Sequence, residues 1–530
     1  MSTNKSDHPD SHRSIIKSTS ILSLGTLTSR ILGFIRDIVL ARLLGTGMKA
    51  DAFFVAFRIP NLFRDFVGEG ATNAAVVPVL SEYIDKDKKA LGNFISVVFV
   101  LGCIILSLLT ILGILFTPWI VRVMAPGFMA DPEKLALTIH LTKVMFPYMI
   151  LIGFTAYSMG ILFTFRRFMA PAFSPCLLNI AIIVSAYISS RTMSEPVLGL
   201  ALGVLAGGFL QLAAQIGPLY KIGLRFTKPA ALNHPGAVKI GKLLIPRMVG
   251  SGVYQLTVLI DTFCASLASI VGPGGVSAIY YANRILQFPM GVFSFALSTV
   301  LLPTFSGQVN RKDMVSLKET LIFSLENIFF IMCPITVILL LLSAPIIRVC
   351  FQRGEFDLYS TAITSGTLLC LAFGLFSFGG IKILVTAFYA MQDTKTPVKV
   401  AGACLLINVV LNFLLMFPLK VSGIALASSI AGTIDFLVLF YFMDKKLNGL
   451  NSGLFAYFLR VSCAGLLLGA FTYGGWHYFR IPNEVLKLGV VALGGSCLYF
   501  FVCLFLKIVQ AEKILVWIIG HCKKWTLKKK

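Results

Sequence analysis

The chain has 530 residues, 57% of them hydrophobic and only 13% charged, with a mean hydropathy of +0.86. That balance excludes a soluble globular protein, and apolar runs of bilayer length exclude a membrane β-barrel, whose strands are segments of about ten residues. The formal net charge of +23 is spread over connecting loops, which excludes a folded basic domain for nucleic acid and fits topology signals and anionic membrane lipids.

Parsed at about 20 residues per span, the sequence predicts an all-α polytopic membrane protein with about 14 transmembrane helices. In chain order they fall near 18–42, 50–80, 92–121, 135–160, 172–190, 195–218, 245–270, 276–305, 320–348, 359–390, 398–417, 422–443, 455–476 and 485–507. Residues 1–17 read as a short polar N-terminal tail with no cleavage site after an apolar core, and 511–530 as a basic tail. Alternate loops carry Lys86, Arg166, Arg167, Lys221, Arg311 and Lys445, so the positive-inside rule places that side, and both termini, in the cytoplasm. The eleven cysteines form no CxxC pair and lie mostly in apolar runs, where a thiol is a small packing group.

The first two spans carry the same charged pattern, Arg30 with Arg36-Asp37 and Arg58 with Arg64-Asp65. An arginine at the centre of a membrane helix costs about 2.5–3.5 kcal/mol on insertion scales, so these side chains should face a bundle interior or an aqueous cavity. Residues six apart lie about 120° round a helix, whereas residues seven apart share a face, as Arg30 and Asp37 do. Gly33 would permit a local break that swings Arg36 inward, and Pro60 makes a similar allowance before Arg64. Asp37 and Asp65 have two readings, as polar neighbours of a cargo or as ion-pair partners of the arginines. Arg58 could equally snorkel to an interface.

The segment Ala52–Ser81 resembles Ala278–Ser306, sharing an aromatic entry, an A-x-R-I core and a closing Pro-x-x-Ser once one residue is inserted. This predicts two pseudo-symmetric six-helix lobes, 18–220 and 245–445, joined by a basic linker at 221–244 and followed by two helices within 446–510. Such repeats are one architecture of alternating-access transporters. Arg284 then corresponds to Arg58, and an arginine cluster shared between lobes would suit a diphosphate, since guanidinium stays charged and binds phosphate oxygens bidentately.

The run Ser29-Arg30-Ile31-Leu32-Gly33-Phe34-Ile35-Arg36-Asp37, with Ala50-Asp51-Ala52-Phe53-Phe54 through Leu62, Glu69-Gly70-Ala71, Ala125-Pro126-Gly127-Phe128, Tyr280-Tyr281-Ala282-Asn283-Arg284, Leu301-Leu302-Pro303 and Asp393-Thr394-Lys395-Thr396-Pro397, closely resembles the MurJ (MviN) family of bacterial lipid II flippases in the MOP exporter superfamily. The resemblance implies a transporter, not an enzyme, with two lobes and a C-terminal helix pair grooved for a polyprenyl tail. It implies export of lipid II across the bacterial cytoplasmic membrane for cell-wall synthesis, and cell-wall synthesis proteins are candidate further partners. It places the substrate site on Arg30, Arg36, Arg64 and Arg284 with Ser29, Asp37 and Asn179, and a gate at Asp51. Through sodium-coupled members it implies a candidate Na+ site at Asp261, Asn408, Asn412 and Ser428, with no other cofactor. The sequence departs from some members at Asn283 and Gln287, where they are acidic, and at Asp65, where they are basic.

A multidrug exporter of the same superfamily would need carboxylates for organic cations, and the central charges here are mainly basic. A flippase for another polyprenyl-diphosphate-linked glycan remains an alternative. An enzyme acting on polyprenyl phosphates would need an acidic metal cluster or paired histidines, and the six histidines show no ligand spacing within a span.

Overall fold

The computed structural model describes residues 9–67, 71–84, 88–223, 232–450 and 453–527, which contain helices and no strand. They pack as two compact units, Met1–Ala268 with Arg353–Phe356, and Ser269–Gln352 with Asp357–Lys530.

The first unit holds α1 (Pro9–Leu44), α2 (Met48–Val67), α3 (Ala71–Ile84), α4 (Lys88–Met124), α5 (Pro132–Met145), α6 (Tyr148–Thr164), α7 (Met169–Thr192), α8 (Pro196–Lys221) and α9 (Pro235–Ser266). By chain order most of α9 falls in the expected second lobe, 245–445. Packing groups α9 with α2, α3 and α4 in this first unit. The tightest pairing is α7 on α8, and small residues set it. Cβ atoms at Gly199, Gly203 and Gly207 of α8 would come within 2.2, 2.5 and 2.7 Å of Ser189, Ser185 and Leu178. In lipid, where apolar burial between helices gains little, such spacing lets backbones approach and van der Waals packing hold them. α1 lies against the other side of α7.

The second unit holds α10 (Ala268–Val271), α11 (Gly275–Pro289), a π-helical turn (Met290–Phe295), α12 (Ala296–Asn310), α13 (Met314–Phe351), α14 (Leu358–Ala372), α15 (Leu375–Ala390), α16 (Lys395–Lys446), α17 (Leu454–Tyr478), α18 (Glu484–Phe505) and α19 (Val509–Leu527). Its packing repeats that of the first unit. α2 on α5, α3 on α6, and α4 on both α5 and α6 are matched by α11 on α14, α12 on α15, and α13 on both α14 and α15. α17 and α18 pack on each other and on α13 around Phe330, Val461, Leu468 and Tyr499.

Nine helices among the described residues are long and apolar enough to cross a membrane, ten if the bent pair α14 and α15 is one span. α1, α2 and α9 fall outside that set, the first two being those with the charged motifs. α16 comprises two of the expected spans. Its 52 residues break at Lys420, where φ is 53° and ψ is −135°. A straight helix would separate Asn408 from Ser428 by about 30 Å. Their side chains instead hydrogen-bond at 3.2 Å, so the chain doubles back as a hairpin. Helix also extends into both expected tails, from Pro9 in α1 and to Leu527 in α19.

The Asp393-Thr394-Lys395-Thr396-Pro397 motif starts α16. Asp393 accepts hydrogen bonds from the Thr396 amide and hydroxyl at 3.0 and 2.8 Å, and Lys446 donates to it at 2.8 Å from the other end of the helix. The Lys446 contact is the main reason its carboxyl is held down at about 2, the Thr396 bonds adding to it.

Candidate functional site

Four of the expected site residues converge in the first unit, Ser29, Arg36, Asp37 and Asn179. Arg36 on α1 is 6% exposed and Asp37 is fully buried. The Arg36 guanidinium donates to Asp37 Oδ1 from Nε at 3.0 Å and Nη2 at 2.8 Å, and to Asn179 Oδ1 on α7 from Nη1 at 3.1 Å. The Asn179 amide nitrogen in turn donates to the Ser29 carbonyl at 3.1 Å, so Ser29 contributes backbone. The ion-pair reading of Asp37 is therefore realised in this arrangement, with the opposite charge offsetting the cost of burying either ion.

The break expected at Gly33 does not occur. α1 runs unbroken from Pro9 to Leu44, and Gly33 faces Asn179, where a Cβ would sit 3.6 Å from Nδ2. Arg36 turns inward because the helix face carrying it packs on α7. Likewise α2 continues through Pro60. Arg30 is half-buried on α1. The side chains of Arg64 and Asp65, together with residues Glu69 and Gly70, lie outside the described residues.

Asp51 is 1% exposed and forms an ion pair with Lys134 of α5 at 2.7 Å. Lys134 is itself 6% exposed and rests 4.1 Å from the centre of the Phe128 ring. Sequence reasoning missed Lys134. The signal was present, since both residues stand near the starts of spans expected to begin on the same side. The Ala125-Pro126-Gly127-Phe128 motif builds the other wall. The Gly127 amide donates to Ser266 Oγ at 3.1 Å, and a Cβ there would lie 2.0 Å from the Ser266 carbonyl oxygen, so only glycine fits against the end of α9. Arg58 does not snorkel. Its Nη1 donates to the hydroxyl of Thr262 on α9, which is buried.

Arg284 lies on α11 in the second unit. Its guanidinium donates to the Tyr280 hydroxyl at 3.1 Å and stands 5.5 Å from the centre of that ring, with Gln287 Oε1 at 3.5 Å. Six residues further, nearly two turns, the helix opens into its π turn, a device common at functional sites. In the same unit Asn412 donates to Asn408 Oδ1 at 3.1 Å and Asn408 donates to Ser428, a neutral ladder closing the α16 hairpin. Asp261 lies on α9 in the first unit. The ladder's amide and hydroxyl oxygens are hard donors of the kind Na+ accepts, although two of their contacts are already spent on one another. Among the described residues no group of three His, Cys, Asp or Glu side chains could hold a metal ion.

The family model "Lipid II flippase MurJ" matches residues 40–490. A probable lipid II flippase MurJ of Buchnera aphidicola is 36% identical over 471 residues, covering 88% of this chain and 92% of its own. The lipid II flippase MurJ of Burkholderia cenocepacia is 32% identical over 505 residues, covering 93% and 95%. A solved lipid II flippase MurJ in an inward closed conformation aligns with a TM-score of 0.77 at 29% identity, covering 92% of this chain and 99% of that one. A multidrug transporter of the MATE family, TM-score 0.66 at 17% identity and covering 79% and 95%, shares the fold. These matches span most of each chain, and with the apolar helices they make the protein an integral inner-membrane transporter that belongs to the MurJ family of lipid II flippases.

Proposed function

We propose that the protein carries lipid II, the undecaprenyl-diphosphate-linked disaccharide pentapeptide, from the inner to the outer leaflet of the cytoplasmic membrane. The observation that carries this reading is the family match over residues 40–490. The physical problem is to move a polar headgroup and a diphosphate through about 30 Å of hydrocarbon. Under this reading both termini are cytoplasmic, Arg30 and Arg64 of the first unit and Arg284 of the second are the charges offered to the diphosphate, and the polyprenyl tail stays in lipid along α17 and α18. Arg36 is already neutralised by Asp37, so it positions Asn179 and the α1 face, while Arg30 and Arg284 supply charge to the cargo. The Asp51–Lys134 pair serves as the gate, since an ion pair buried this deeply holds helices together until water reaches it. A coupling Na+ would be held by the oxygens of Asn408, Asn412 and Ser428, and Na+ dependence of export, lost in an Asn408→Ala variant, would support that role.

The deciding experiment is complementation in bacteria depleted of their own flippase, scored by cleavage of newly made lipid II by an enzyme added outside the cell. Restored cleavage that disappears with an Arg284→Ala variant present at normal levels in the membrane is the expected result. Protected lipid II despite verified insertion of the unaltered chain would reject the reading.

A further inference from the structure

The α16 hairpin contains an acid that the candidate site does not use. The Asn408–Ser428 hydrogen bond fixes the register between the two arms. Cys404 lies four residues, about 6 Å, before Asn408, and Asp435 lies seven residues, about 10.5 Å, after Ser428, so Asp435 falls on the same seam about one turn beyond Cys404. The two side chains are indeed electrostatic neighbours. The opposite face of this arm is occupied otherwise: Ser429 donates to the Cys370 carbonyl of α14, Thr433 meets Ser377 of α15, and Phe436 packs over Gly380. Asp435 is therefore aimed along the seam. Its Oδ1 is sealed from solvent and has no hydrogen-bond partner among the described residues, while the residue as a whole is half-buried.

An ionised carboxylate in that position is costly, because a buried charge needs an opposite charge or several donors. The ionisable groups on the packed elements are Tyr359 and Cys370 on α14, Lys382 and Tyr389 on α15, and Tyr280, Tyr281 and Arg284 on α11, while α16 itself carries Cys404 and Tyr441 within its arms, Lys420 at its break, and Lys395, Lys399, Asp444, Lys445 and Lys446 towards its two ends. Cys404 is the one in electrostatic contact, and a thiol supplies no positive charge. A metal ion would require several oxygen ligands, whereas the seam offers a thiol across from Asp435 and Ala431 and Leu439 one turn away on its own arm. A proton needs only the carboxylate.

We propose that Asp435 is a proton-binding site. A proton from the aqueous phase adds to the carboxylate to give a neutral carboxyl while the seam is closed, and it returns to water when the seam opens. The half-exposed edge of the residue provides the exchange route. The site would give the transporter a proton-linked step, and only that last statement rests on the export reading.

The test uses the purified full-length protein in lipid. Infrared difference spectra between acidic and alkaline buffers should show a protonated-carboxyl carbonyl band that is lost in Asp435→Asn and shifted in Asp435→Glu. The band should be the same in NaCl and KCl at fixed pH. An identical band in wild type and Asp435→Asn would overturn the proposal, as would a band abolished by NaCl alone, which would make the ligand a metal cation. In the transport arm, lipid II flipping by the wild type should contain an ionisation that Asp435→Asn removes. A wild type that flips no lipid II would reject the export reading, and the infrared result would still decide the proton site.

Discussion

Asn179 on α7 and the Asn408–Asn412 ladder on α16 each tie together neighbouring helical segments of one unit, yet their chemistry is opposite. In the first unit the amide is tied into a buried ion pair, Arg36 with Asp37. In the second, amides and a serine hydroxyl bond to one another without charge. A neutral ladder glues helices at modest energy and can open cheaply. A buried ion pair is expensive to unmake, so Asn179 sits in the more firmly held of the two arrangements.

Breaking the charged side should have the larger effect. Arg36→Ala leaves Asp37 buried with an uncompensated charge and should cost about 3–5 kcal/mol, seen as a large fall in thermal stability in detergent. The double variant Arg36→Met/Asp37→Leu should regain most of that stability without regaining transport. Equal stability of single and double variants would remove the ion pair from the account. On the neutral side, Asn408→Ala should cost about 0.6–1.7 kcal/mol, the range of interhelical hydrogen bonds in membranes. A loss as great as that of Arg36→Ala would erase the contrast between the units.

An effect comparable to that of the ladder lies where Asp393 starts α16. Asp393→Ala should cost about 1 kcal/mol, as for loss of a helix cap. Its folded value of about 2 lies below the ordinary 3.8. The contribution is therefore complete above about pH 4 and fades as pH falls towards 2, because the unfolded chain takes up the proton first. Melting curves of wild type and variant should converge over that interval, and a constant gap would show that the Lys446 contact does not act through charge.

Much of the fold is written in local chemistry. Runs of about 20 apolar residues must form helices in lipid, where each backbone group has to be satisfied internally, and the arginines of the first spans could not face hydrocarbon. The repeat between Ala52–Ser81 and Ala278–Ser306 is visible as well, because equivalent helices carry equivalent side chains. What remained hidden depended on which helices meet. Gly33 looks like a hinge until α7 is placed beside it and Asn179 fills the space above. Lys134 looks like an interfacial lysine until α5 meets α2, and Asp435 is one acid in a long apolar run until the turn at Lys420 lays it beside Cys404. Periodicity within one helix states which residues share a face, and only tertiary packing decides what that face will touch.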